Sequence, residues 1–136
     1  MIVTVLREKD LFNFVLPDKA SGQYLIYMDT GSLAASINSA GGAWNLSLEK
    51  GFQFTSGMPS DVQSCPISES MTAVIKDAKS SKYLCIMFEA FSHERALFTK
   101  YYIPQNGEYI IGRYANTDIQ FDSKLVSSTH AVIYIG

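Results

Sequence analysis

The sequence has few of the residues that metal sites need. Its only cysteines are Cys65 and Cys85, its only histidines are His93 and His130, and no two of these lie close together. Metal-binding motifs usually place such ligands a few residues apart, so we predict no metal site. Cys85 lies in an apolar run and is predicted to be a buried, reduced thiol. Cys65 precedes Pro66 and is predicted to lie in a loop.

Excess positive charge and long apolar runs are also missing. The formal net charge is −2, and the lysines and arginines are scattered, so nucleic acid is not a predicted partner. No apolar run approaches the roughly 18–20 residues that a membrane-spanning helix needs. Charged residues 7–10 interrupt the N-terminus, where a signal peptide would need an apolar core. We therefore expect a cytoplasmic location with no direct membrane insertion.

Short runs of β-branched and aromatic residues, separated by clusters of turn residues, dominate what is present. They predict strands at 2–6, 11–16, 24–28, 44–48, 52–54, 72–76, 83–88, 97–103, 108–111, 119–121 and 131–135. Short strands at close spacing favour an all-β, antiparallel sandwich. Residues 32–39 could form one helical turn, and residues 56–70 are predicted to form a long irregular connection.

The apolar pattern lapses at residues 91–95, where we predict a domain boundary. Residues 1–92 would form a first unit large enough to fold alone. Residues 93–136 would form the beginning of a second unit that is cut short.

The most informative residues lie in this second segment. Gly112 is a residue type that lets a strand end in a sharp turn, and Arg113 follows it with a permanently charged, forked donor. Ser127 and Ser128 offer hydroxyl and backbone N–H donors that could converge on phosphate oxygens. Arg113, Ser127 and Ser128 are therefore candidates for binding a phosphate or a peptide, although Arg113 could instead form a weak surface salt bridge and the serines could be ordinary turn residues.

Other residues of the segment have predicted structural roles. Asn116 and Asp118 can hydrogen-bond their own turn backbone, and Gly112 belongs to the same architecture. A Ser–His hydrolase would need a Gly-x-Ser-x-Gly elbow, an orienting acid and an oxyanion loop, which the sequence does not show. It also has no Gly-x-x-x-x-Gly-Lys phosphate loop. We therefore predict a non-catalytic chain with no cofactor.

Residues 110–122 and 126–133 together resemble the signature of the forkhead-associated (FHA) domain. In that signature a strand ends in Gly-Arg, an Asn-Asp-Ile-type strand follows, and a Val-Ser-x-x-His-Ala segment closes the motif. The resemblance implies a β-sandwich that recognises phosphopeptides, with phosphate donors at Arg113, Ser127 and Ser128. It also implies that His130 braces the loop by hydrogen bonding inside the fold.

Residues 83–89, 98–104, 111–113 and 126–131 further resemble the N-terminus of EssC/YukB-type FtsK/SpoIIIE ATPases of type VII secretion systems. Those proteins begin with two consecutive FHA-like domains in the cytosol. The resemblance implies that 1–92 is a first FHA-like domain with a degenerate motif and that 93–136 is the N-terminal half of a second. The implied function is an interaction module that docks other components of the secretion apparatus. The alternative is a phosphothreonine reader in a signalling pathway.

Two departures from the FHA pattern bear on these expectations. The family's later Asn-Gly loop would fall beyond Gly136, and Ser128 stands where an arginine often follows the serine. Phosphopeptide binding by this chain is therefore expected to be weak. Half a sandwich would also expose strand edges, which favours self-association.

Overall fold

The computed structural model describes residues 1–16, 22–40, 42–55, 61–92, 100–101, 107–121 and 123–136, and every regular element in these ranges is a β-strand. The strands are β1 (Ile2–Leu6), β2 (Leu11–Val15), β3 (Gly22–Tyr27), β4 (Leu33–Ala40), β5 (Ala43–Leu48), β6 (Phe52–Phe54), β7 (Ser64–Pro66), β8 (Thr72–Asp77), β9 (Tyr83–Glu89), β10 (Lys100–Tyr101), β11 (Gly107–Gly112), β12 (Ile119–Gln120) and β13 (Ala131–Ile135). None of these ranges contains a helix that could span a membrane.

Two sheets form a sandwich. The first has the order β10-β2-β1-β9-β8-β6 and the second has the order β3-β4-β5-β7. All pairs are antiparallel except the one between β10 and β2. The predicted all-β, antiparallel sandwich is confirmed.

The core lies between the two sheets, and in β5, β8 and β9 every second side chain is buried. Val3 and Val5 of the central strand β1 are fully buried, and so are Ile37 of β4 and Ile86 of β9. Successive side chains on a strand point to opposite faces, so residues two apart enter the same core. Strand β2 of the first sheet carries buried Phe14, and its ring contacts that of Tyr24 on β3 of the second sheet.

Strand β4 corrects the expectation of a helical turn at residues 32–39. It pairs with both β3 and β5, and its side chains from Ala34 to Ile37 are all buried. Small alanine and serine side chains give little β propensity of their own. The two flanking strands supply the hydrogen bonds, so tertiary context overrides local preference.

Strand β7 corrects a second expectation, because residues 56–70 do not form a wholly irregular connection. Ser64–Pro66 pairs with β5, opposite Asn45, Leu46 and Ser47. Cys65 therefore lies in a strand rather than a loop, and its side chain is buried. Cys85 lies on β9 and is only partly buried, although it is a free thiol as expected.

The predicted boundary near residue 92 adjoins residues 93–99, which lie outside the described residues, as does His93. Of the predicted strand 97–103, the described part is β10, which pairs in parallel with β2 at Phe14 and Val15. The three remaining strands form a third sheet of order β12-β11-β13.

Candidate functional site

Strand β11 connects the sandwich core to the candidate site. Tyr109 is only 3% exposed and belongs to the core cluster of the sandwich, and its cross-strand partner Ile133 packs against that cluster. Further along the same strand lie Gly112 and, directly after it, Arg113. The core therefore fixes the position of the strand that presents the candidate residues.

Gly112 is needed because another part of the backbone passes very close to it. A Cβ atom added there would lie 2.1 Å from the carbonyl oxygen of Ser128 and 3.0 Å from Cγ2 of Thr117. Gly112 is not among the residues with positive φ, so it is required for this close approach rather than for the sharp turn that the sequence suggested. The end of β11 therefore packs closely against the loop that carries the two candidate serines.

Backbone hydrogen bonds tie these two segments together. The N–H of Arg113 donates to the carbonyl oxygen of Ser127 at 3.0 Å, and the N–H of Tyr114 donates to that of Ser128 at 3.5 Å. On the other side, the N–H of His130 donates to the carbonyl oxygen of Ile111 at 2.7 Å. Arg113, Ser127 and Ser128 therefore lie at neighbouring positions on one rim of the third sheet.

The donors at this rim differ in availability. Among the described residues, the guanidinium of Arg113 has no carboxylate partner and the hydroxyls of Ser127 and Ser128 have no hydrogen-bond partner. The N–H of Ser127 is already donated to Nδ1 of His130 at 3.2 Å. Of the donors that the sequence suggested, the Ser127 amide is thus taken, while the guanidinium and both hydroxyls have no such partner within the described part of the chain.

His130 contributes through its ring as well as through its backbone. The ring is exposed, and its Nδ1 accepts the hydrogen bond from the Ser127 amide. A neutral ring that accepts at Nδ1 carries its proton on Nε2. Nδ1 therefore meets a backbone amide, and this hydrogen bond links the His130 side chain to the backbone three residues earlier.

Asp118 and Asn116 differ in what they contact. A side-chain oxygen of Asp118 accepts from the N–H of Ile110 at 2.8 Å, and the N–H of Asp118 donates to the carbonyl oxygen of Ile110 at 2.9 Å. Asp118 thus holds the loop after Arg113 against β11. Asn116 is exposed, and its side chain has no hydrogen bond to another described residue.

Sequence reasoning missed two side chains that shape the loop after Arg113. The hydroxyl of Thr117 donates to the carbonyl oxygen of Tyr114 at 2.7 Å. The amide of Gln120 donates from Nε2 to the carbonyl oxygen of Arg113 at 3.0 Å. Threonine commonly hydrogen-bonds nearby backbone in turns, so Thr117 carried a usable signal, whereas the reach of Gln120 depends on the pairing of β12.

One comparison with known proteins gave a match. Residues 109–136 match the family model of the FHA domain. The matched range is less than half of the chain and includes β12, β13 and most of β11. Neither the curated proteins nor the solved structures gave a significant match.

Proposed function

We propose that this chain is a non-catalytic protein-interaction module whose C-terminal segment binds a phosphorylated peptide through Arg113, Ser127 and Ser128. The observation that carries the proposal is the hydrogen bond between the N–H of Arg113 and the carbonyl oxygen of Ser127, which holds the two donor-bearing segments side by side. The match of residues 109–136 to the FHA domain supports the same function.

The chemistry of the rim suits a phosphate. A guanidinium offers several N–H donors in a fixed plane and remains charged at every physiological pH, which matches the oxygens of a phosphoryl group. Serine hydroxyls rotate freely and can each donate to a further oxygen. Gly112 packs closely against Ser128, and the His130 ring accepts a hydrogen bond from the Ser127 amide. The loop that carries the two serines is therefore already ordered and needs little rearrangement when a ligand binds.

The proposal is tested by titrating a phosphothreonine peptide and its unmodified counterpart onto the chain by fluorescence anisotropy. Hydrogen bonds to charged groups contribute about 1.5–3 kcal/mol, so Arg113→Ala should weaken phosphopeptide binding by roughly tenfold to 150-fold. Arg113→Lys keeps the charge and loses the planar fork, so it should give an intermediate loss.

Lys50→Ala is the matched control for the loss of one positive charge. Lys50 is exposed in the turn between β5 and β6 of the sandwich, away from the FHA match. Its removal should leave binding almost unchanged. Equal affinity for the phosphorylated and unmodified peptides, or equal losses in the Lys50 and Arg113 variants, would contradict phosphate recognition at this rim.

A narrower context is part of the proposal. The resemblance of residues 83–89 and 111–113 to EssC/YukB-type ATPases supports a role as the cytoplasmic N-terminal part of a type VII secretion ATPase. In that case 1–92 is a first FHA-like domain that docks other components and 93–136 belongs to a second. Sequencing onward through the same reading frame should reveal apolar membrane spans and several phosphate loops, and a frame without them would contradict this context.

A further inference from the structure

We infer that the phosphopeptide ligand carries a large apolar side chain within about two residues of its phosphorylated residue, and that Leu125 contacts it. This inference rests on the proposed function and specifies the class of peptide. Leu125 is 92% exposed, an unusual degree for a leucine, and it lies two positions before Ser127.

A compact turn presents Leu125 outward. The N–H of Leu125 donates to the hydroxyl of Ser123 at 3.2 Å, and the N–H of Val126 donates to the carbonyl oxygen of Ser123 at 3.0 Å. These two bonds fix the backbone on both sides of the Leu125 side chain. A backbone that is already ordered loses little conformational freedom when a ligand covers the side chain, which favours the use of Leu125 as a contact.

Two more apolar side chains border the same rim. Tyr114 follows Arg113 and is 56% exposed, and Phe121 is 37% exposed while its N–H donates to the carbonyl oxygen of Gly112 at 2.9 Å. Single exposed apolar residues are normal on protein surfaces. Here three exposed ones occur close to the candidate donors along the chain or through backbone hydrogen bonds: Tyr114 follows Arg113, Phe121 is bonded to Gly112, and Leu125 lies two positions before Ser127.

Charge and reach identify the occupant as the peptide that bears the phosphate. Arg113 and the exposed Lys124, which lies three residues before Ser127, carry positive charges that complement a phosphoryl group. The Cα atoms of Leu125 and Ser127 can lie at most about 7 Å apart, and an extended peptide advances about 3.3–3.6 Å per residue. An apolar peptide side chain about two positions from the phosphate therefore matches the distance to Leu125.

The test compares two phosphothreonine peptides, one with leucine and one with serine at the two positions on each side of the phosphothreonine, together with their unmodified forms. The chain should bind the leucine-flanked phosphopeptide about three- to tenfold more tightly, as expected for partial burial of one apolar side chain. Leu125→Ser should remove most of this preference, because it should lower the affinity for the leucine-flanked phosphopeptide more than that for the serine-flanked one.

Leu11→Ser is the matched control, because Leu11 is an exposed leucine at the start of β2 in the sandwich. Thermal unfolding should show all variants folded, since both leucines lie at the surface. Phosphate-dependent binding with equal affinity for the two phosphopeptides, or an unchanged preference in Leu125→Ser, would overturn the inference alone. Binding that ignores the phosphate on both peptides would overturn the proposed function and the inference with it.

Discussion

Replacing Gly112 with alanine tests the packing on which the candidate site depends. The new Cβ would lie 2.1 Å from the carbonyl oxygen of Ser128. Carbon–oxygen contacts in proteins normally fall at about 3.3–3.6 Å, so the two segments must separate by about 1 Å or more. The bond from the Tyr114 N–H to the same oxygen is already 3.5 Å long and should break.

The expected cost follows from two opposing effects. Overpacking of this kind destabilises proteins by about 1–3 kcal/mol. Replacing glycine with alanine also restricts the unfolded chain, which returns about 0.4–1 kcal/mol. We therefore expect Gly112→Ala to lower the free energy of unfolding by about 1–2 kcal/mol and to weaken phosphopeptide binding.

Two measurements separate the global effect from the local one. Urea unfolding followed by fluorescence reports on the sandwich, because Trp44 is the only tryptophan and is buried there. Amide hydrogen exchange at Arg113 and His130 reports on the rim, since both amides bond across it. Gly112→Ala should speed exchange at both amides.

Controls address the source of the clash. Gly136→Ala should be neutral, because a Cβ there meets no described residue within 4 Å. Adding Thr117→Ser to Gly112→Ala removes the 3.0 Å methyl contact but not the one to the Ser128 backbone, so it should not restore stability. Unchanged exchange at Arg113 and His130 in Gly112→Ala, or full rescue by Thr117→Ser, would refute the reasoning.

Two further predictions concern side-chain oxygens that hold backbone amides. Asp118→Ala leaves the part-buried N–H of Ile110 without its 2.8 Å acceptor, so it should lower the free energy of unfolding in urea by about 1–3 kcal/mol. Asp118→Asn keeps an oxygen at this position and should cost less. Equal losses in the two variants would contradict this role. The hydroxyl of Ser80, and next the N–H of Lys79, hold the pKa of Asp77 below its ordinary value of 3.8. The stability that this shift contributes is therefore present above pH 3.8 and is lost as the pH falls through the lower folded-state pKa. The difference in unfolding free energy between the unmodified chain and Asp77→Asn should consequently shrink in acid. A difference that stays constant with pH would contradict this prediction.

The sequence predicted strands well where β propensity is high. Residues 2–6, 52–54 and 131–135 form strands with the predicted bounds, because β-branched and aromatic residues dominate all three segments. Strand β4 was missed because its small residues carry no alternation, and β7 was missed because three residues among turn formers give almost no signal. Both strands are defined by pairing with distant segments.

The candidate site shows the same division between local and long-range information. Arg113 and the two serines could be selected from residue chemistry together with the resemblance of residues 110–122 and 126–133 to the FHA signature. The sequence could not show that the Ser127 amide is donated to His130, because that depends on how the loop folds back. Nor could it show that Gly112 is required by the carbonyl of Ser128, a contact between segments that are far apart along the chain.

The sandwich contributes to the candidate site by holding β11 rather than by supplying donors. Tyr109 is buried in the sandwich core, and Gly112 lies three residues further along the same strand, about 10 Å away at the usual rise per residue. A strand anchored at one end by a large buried ring cannot shift freely at the other. The position of Arg113 relative to Ser127 is therefore set by the core of the sandwich as well as by the hydrogen bonds of the rim itself.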